Sequence, residues 1–260
     1  MLVKTLTEEP ARPIARLSAA TRSRKATRRV RLICFHHAGG GASSFNLWKR
    51  GLSADVDVVA VDVPDRERFA TLSELVEAIH DQLGPLLDEP HVFFGHSFGA
   101  LVAYRLASLR AAAGLPLPSA LIVSSFPPPH LPTAIHMVHE VDDQQLSKVL
   151  SDIGGLPVEL DRWPCLRKKA VALARIDLRL GATDDDATSV PLTCPIHAFG
   201  GSDDFLVSER ELRQWSSRTV AEFSVQMLKG NHFHISDRKQ LFAALKPLLF
   251  GFDAPHANVA

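Results

Sequence analysis

Five residues, Gly95-His96-Ser97-Phe98-Gly99, form a G-x-S-x-G element. Such an element can hold a serine nucleophile on a sharp strand-to-helix turn, provided its neighbours are small enough for strand and helix to approach. The flanks suit that reading. His91-Val92-Phe93-Phe94 is a short apolar run, and Ala100 to about Ala113 reads as a helix of small and apolar residues closed by Gly114. The free N–H groups and positive dipole end of that helix would face negative charge developing beside Ser97. The bland alternative is a βα turn that happens to carry two glycines.

A serine hydroxyl is a weak nucleophile and needs a base. His232 is the candidate, in Lys229-Gly230-Asn231-His232-Phe233-His234, after an apolar run and before a final helix. His234 is its local competitor, and spacing in a loop does not separate them. The base in turn needs a carboxylate to fix its tautomer and stabilise its cation. Gly200-Gly201-Ser202-Asp203-Asp204 supplies two, both at G-x-x-D spacing. Asp204 is favoured because it stands three before the apolar Val207; Asp203 stays open. The order serine, aspartate, histidine is that of α/β-hydrolases. An oxyanion hole needs two backbone donors: Phe98, after the nucleophile, and His37 or Ala38, in the His36-His37-Ala38-Gly39-Gly40-Gly41 loop. That loop matches neither GxxxxGK[ST] nor GxGxxG, which argues against phosphate binding.

These residues require elements to carry them. Arg31–His36, Val56–Val63, His91–Phe94, Leu121–Phe126, Pro195–Phe199 and Glu222–Leu228 read as strands. Ser43–Leu52, Thr71–Leu87, Ser208–Ser217 and Lys239–Phe250 read as helices, and Thr71…Glu74 fits a capping box. Strands alternating with helices predict an α/β fold with a mainly parallel central sheet flanked by helices. Residues 127–190 offer no strand. They read as a helical lid insertion, with helices over Asp142–Ile153 and Leu166–Leu180.

The chain of 260 residues suits one sizeable domain, placed at 30–252, with a tail over 253–260. No apolar run approaches the ~18 residues of a membrane span. Net charge is zero, but residues 1–30 carry +6 and the remainder −6. The mildly acidic body argues against nucleic-acid binding. The basic stretch over 1–29 reads as a disordered arm. It has no apolar core for a secretory signal, and Glu8, Glu9, Pro10 and Pro13 weaken a mitochondrial-leader reading. Cys34, Cys165 and Cys194 lack metal or disulfide spacing and read as reduced, small core residues of a cytoplasmic protein. The twelve histidines match no HExxH pattern, so no metal is expected, and most read as surface or loop residues.

The ordered series of motifs resembles the type II thioesterases of nonribosomal peptide and polyketide biosynthesis, over about residues 31–250. The resemblance rests on Cys34-Phe35-His36-His37-Ala38-Gly39-Gly40, Gly95-His96-Ser97-Phe98-Gly99-Ala100 and Phe126-Pro127-Pro128-Pro129-His130. Ala174-Arg175-Ile176-Asp177, Gly201-Ser202-Asp203-Asp204, Trp215 and Gly230-Asn231-His232-Phe233 follow in order. Two positions depart from the family pattern: Asp65, in Pro64-Asp65-Arg66, and Asn231 stand where glycine is usual. The resemblance implies hydrolysis of acyl or aminoacyl thioesters on phosphopantetheine arms of carrier-protein domains, an editing role. It implies no cofactor and a monomer that meets its carrier partner near the lid. Two alternatives stay open, a general esterase or acyl-CoA thioesterase on the same fold, and a non-catalytic synthase-binding protein.

Overall fold

The structure, a computed structural model, describes residues 29–63, 65–132, 138–185 and 190–251. Residues 1–28 of the expected arm and the expected tail lie outside them. Six strands build one sheet: β1 (Val30–Phe35), β2 (Val56–Ala60), β3 (His91–His96), β4 (Ala120–Ser124), β5 (Ile196–Gly201) and β6 (Phe223–Leu228). Their order is β2-β1-β3-β4-β5-β6, and every neighbouring pair is parallel. The central strands β3, β4 and β5 are buried at every residue, which is why they read as continuous apolar runs rather than alternating ones.

Seven α-helices complete the described frame: α1 (Trp48–Gly51), α2 (Leu72–Leu83), α3 (Phe98–Ala112), α4 (Asp143–Asp152), α5 (Pro164–Ala182), α6 (Glu209–Arg213) and α7 (Arg238–Phe250). Alternate strand side chains feed two cores, one on each face of the sheet. Ile33, Phe93, Leu121 and Val123 pack with α2, α3 and the insertion. Leu32, Phe94 and Ile122 pack with Trp48 of α1 and Leu241 and Leu245 of α7. Helix α3 is buried on most sides, since it lies between the sheet and α2.

The sequence boundaries shift by a few residues at several ends. The second strand stops at Ala60, short of Val63, and the helix expected over Ser43–Leu52 divides into a 3-10 turn, Ala42–Phe45, and α1. At the start of α2, Thr71 Oγ1 accepts from the Glu74 N–H, but the Glu74 carboxylate reaches the Ala70 N–H instead of that of Thr71. A full capping box, Ser208 with Glu211, opens α6 directly after the aspartate loop. Cys34 and Cys194 are buried as expected, whereas Cys165 is exposed at the start of α5.

Candidate active site

The chemistry-bearing loops leave the C-terminal ends of β1, β3, β5 and β6, the edge where parallel α/β sheets gather their ligands. Ser97 sits between β3 and α3 at φ 53°, ψ −123°, a backbone state that a non-glycine residue rarely adopts. The two flanking glycines make the turn sterically possible. A Cβ on Gly95 would stand 2.2 Å from the Gly99 carbonyl oxygen, and one on Gly99 would stand 2.2 Å from the Phe35 carbonyl oxygen. Helix α3 and strand β1 therefore approach the turn at backbone distance. Phe98 is the first residue of α3, so its N–H is one of the donors that the helix itself leaves free.

The aspartate and histidine loops are laced together. The Ser202 N–H donates to the Leu228 carbonyl and the Asp203 N–H to the Gly230 carbonyl. Asp203 itself is exposed. The Asp204 side chain is fully buried, and its Oδ2 lies 2.8 Å from His232 Nδ1. Its Oδ1 accepts the N–H groups of Leu206 and Val207. Burial alone would raise the Asp204 carboxyl. The hydrogen bond and charge of His232, with those two N–H donors, outweigh it and hold the carboxyl below its ordinary value. A carboxylate can only accept, so Nδ1 of His232 carries the proton and Nε2 is free to accept. Ser97 Oγ lies 3.0 Å from that Nε2. The structure thus brings Ser97, His232 and Asp204 into one line. It turns His234 away, toward Ser124 and Ser125.

The loop after β1 is fixed by bonds invisible in the local sequence. The His37 carbonyl accepts from the Gly40 N–H and from His36 Nδ1. In a trans peptide the N–H points opposite the C=O, so the Ala38 N–H faces away from those partners. A buried ion pair holds the next two residues. Asp177 of α5 accepts the Gly39 N–H at 2.7 Å and Arg66 Nη1 at 2.5 Å. Arg66 also donates to the Gly40 and Val63 carbonyls. Asp65, where a glycine is usual, takes the left-handed conformation at φ 51°. Aspartate tolerates that region better than most residues, so the turn carrying Arg66 survives without glycine. Asn231 likewise replaces glycine without loss of the turn: its Oδ1 accepts the Phe233 N–H. The sequence reading found neither the role of Arg66 nor that of Asp177. Their only traces are the Pro64-Asp65-Arg66 loop and the Ala174–Asp177 motif in the insertion.

Loop placement does not mean exposure for these histidines: His36, His232 and His234 are buried, as are His91, His96 and His197. Three of them, His91, His96 and His197, lie inside strands. Burial pushes His36 down to about 3, with the Arg66 charge adding to the effect. It pushes His234 down to about 4, with His232 contributing. Burial also places His96 well below its ordinary value. These imidazoles stay neutral around His232. The folded values lie below the unfolded one near 6.5, so the unfolded chain binds more protons in acid. Stability is therefore complete above about pH 6.5 and is lost as pH falls toward 4, by about 3 kcal/mol each for His36 and His234. The midpoint of urea unfolding measured from pH 7 to 4 should fall accordingly. A flat profile would contradict neutral burial.

Above Ser97 lies a small cavity of about 30 Å³. Val149, Leu150 and Ile153 from the region of α4, Leu178 of α5, Ala38 and Phe233 wall it with apolar surface. The insertion therefore roofs the serine. A larger groove, about 660 Å³, runs between α2 and α3 and includes none of the three aligned residues. Among the described residues no cluster of three or more metal-ligating side chains occurs, and no helix is long and apolar enough to cross a membrane.

A family model described as "Thioesterase domain" matches residues 30–248. The chain belongs to the thioesterase domain family. Gramicidin S biosynthesis protein GrsT of Aneurinibacillus migulanus is 31% identical over 217 residues, spanning 81% of this chain and 85% of its own. RedJ, a thioesterase from the prodiginine biosynthetic pathway in Streptomyces coelicolor, superposes with a TM-score of 0.78 at 33% identity, covering 88% of this chain and 95% of that one. The type II thioesterase BorB from the borrelidin biosynthetic cluster superposes with a TM-score of 0.76 at 31% identity, covering 86% and 94%. The expected α/β-hydrolase architecture and the expected family therefore stand.

Proposed function

We propose that this thioesterase hydrolyses acyl or aminoacyl thioesters carried on the phosphopantetheine arms of carrier-protein domains, as a type II editing enzyme of a peptide or polyketide synthase. The observation that carries the reading is the Ser97–His232–Asp204 line at the floor of an apolar cavity. In this reading Ser97 Oγ attacks the thioester carbonyl carbon while its proton passes to His232 Nε2. The N–H groups of Phe98 and Ala38 hold the oxyanion; Ala38 is preferred to His37 because its peptide is pinned to face away from the Gly40 side. The C–S bond breaks, and His232 returns the proton to the leaving thiolate. Water then attacks the acyl-serine. Its proton goes to His232 and on to Ser97 Oγ, and the acid departs. Asp204 keeps the imidazole in tautomer throughout. Every step is covered by groups of this chain and water.

The catalytic domain spans residues 30–252, with the insertion over 127–190 as its lid. The carrier docks over that insertion, where exposed Trp163 and Leu166 stand beside exposed Lys168 and Lys169. Free thiols at Cys34, Cys165 and Cys194 suit a cytoplasmic setting. The biosynthetic settings printed for GrsT, RedJ and BorB support a synthase as the partner. The test is to incubate the protein with acyl-loaded and aminoacyl-loaded carrier proteins, acyl-CoA and a p-nitrophenyl ester. Release is followed by intact-protein mass spectrometry. Carrier-bound thioesters should be cleared with the highest kcat/KM. Turnover of the ester or the CoA thioester with no release from any carrier would return the enzyme to the general hydrolases.

A further inference from the structure

Behind His232 four side chains form a hydrogen-bonded row that the reaction above does not use. His96 Nδ1 lies 3.0 Å from Ser124 Oγ. Ser124 Oγ lies 3.2 Å from His234 Nε2, and His234 Nδ1 lies 3.3 Å from Ser125 Oγ. Ser125 Oγ donates to the His232 carbonyl at 3.1 Å. All four side chains are buried, so their protons have no water to turn to.

Donor and acceptor counting fixes every proton in the row. A carbonyl can only accept, so the Ser125 hydroxyl spends its one proton on His232. Toward His234 that hydroxyl must then accept, and Nδ1 of His234 is the protonated nitrogen. Neutral imidazole has one proton, so Nε2 of His234 accepts, and the Ser124 hydroxyl donates to it. Ser124 in turn accepts from Nδ1–H of His96. The row therefore runs one way, from the residue before the nucleophile to the backbone of the base. The low proton affinities of His96 and His234 keep it intact in ordinary buffers.

A second observation marks Ser125 as more than filler. It sits at φ 49°, where glycine is favoured and a serine costs roughly 1 kcal/mol or more. A hydroxyl kept at a position that disfavours any side chain indicates a use for the hydroxyl.

We propose that His234 is a positioning residue for His232: through Ser125 it holds the carbonyl of the base, and with it the loop that sets the Ser97–His232 distance. This rests on the reading of Ser97 and His232 as nucleophile and base. The geometry separates His234 from a merely structural histidine, because its Nδ1 side leads through a single hydroxyl to the base's own backbone.

The decisive variant is Ser125→Gly, which removes the hydroxyl and the strain together. Relief of the strain offsets part of the two lost buried hydrogen bonds, so the thermal midpoint should fall only modestly, while kcat on the N-acetylcysteamine thioester of acetate falls on the order of tenfold with KM unchanged. The rate of Ser97 labelling by a fluorophosphonate should fall in parallel. His234→Phe, which removes both bonds but keeps a ring, should lose as much. His234→Asn, whose Nδ2 can donate in place of Nδ1, should recover most of kcat. Because one row carries both effects, Ser125→Gly with His234→Phe should be no slower than either alone. Full kcat in Ser125→Gly would overturn the proposal, as would a His234→Asn as slow as His234→Phe. Ser97→Ala, run beside them, keeps the two readings apart. If it retains turnover, the nucleophile assignment has failed; if it is inactive while Ser125→Gly is normal, only the row has.

Discussion

Ser97→Ala should abolish thioester hydrolysis, with kcat lower by about 10⁴- to 10⁶-fold and the thermal midpoint near that of the parent. The size follows from the geometry. In the proposed mechanism, removing Oγ deletes the atom that forms the acyl bond and leaves a cavity whose oxyanion donors can only assist water. His232→Ala should fall nearly as far, because its Nε2 is the acceptor placed 3.0 Å from that Oγ. Asp204→Asn should lose less, since it perturbs the tautomer and leaves the base in place. The three residues act as one unit, so the Ser97→Ala, His232→Ala double variant should be no slower than Ser97→Ala alone. Single-turnover assays with an acyl-loaded carrier would measure all of these on one scale. A double variant further depressed by the product of the single losses would mean the residues act independently, which their hydrogen bonds do not allow. Stability should change little in Ser97→Ala, and relief of the strained φ 53° is not on offer, because alanine inherits the same backbone.

How far the sequence carries depends on whether a residue's role is set by its neighbours along the chain. Ser97 was legible because the elbow makes local demands: a buried strand before it, a helix after it, and glycines at 95 and 99 whose Cβ atoms would collide with backbone. Asp204 was separable from Asp203 only weakly, by the apolar residue three places on, and the structure separates them by burial. His91 and His197 differ again. Each lies in a run that reads as a strand and is otherwise apolar, His91–Phe94 and Pro195–Phe199, so strand membership itself implies the burial that the structure shows. Arg66 and Asp177 could not be paired at all. They stand 111 residues apart, on a turn and on a helix of the insertion, and no periodicity relates such positions. The row behind His232 was hidden likewise, since Ser124 and Ser125 reach His234 from another strand's end, 110 and 109 residues away.

Breaking the Arg66–Asp177 pair should cost both stability and rate, and a paired substitution should separate the two. Arg66→Met alone leaves a buried carboxylate without its cation, and Asp177→Leu alone leaves a buried guanidinium without its anion. Each should destabilise the fold by about 3–5 kcal/mol. Arg66→Met with Asp177→Leu removes both charges, so most of that loss should be regained. The rate should not return with it. The pair's other bonds go to the Gly39 N–H and to the Gly40 and Val63 carbonyls, so they hold the loop that, in the proposed mechanism, presents the Ala38 N–H to the oxyanion. Without them Gly39 loses its N–H partner, and the bonds to the His37 carbonyl remain beside it. A donor displaced from its oxyanion costs on the order of 10²-fold in kcat, and that deficit should persist in the double variant while its unfolding midpoint recovers. The contact also ties catalysis to the insertion. Asp177 belongs to α5, and Ala170 and Ala174 of the same helix press against Gly39 so closely that a Cβ there would stand 2.9 Å from the Ala170 carbonyl oxygen. Helix α5 thus both roofs the cavity, through Leu178, and holds the loop after β1, through Asp177. A double variant with the parent's kcat on the acetyl thioester would disprove this coupling; one that folds well and turns over slowly is the result the geometry requires.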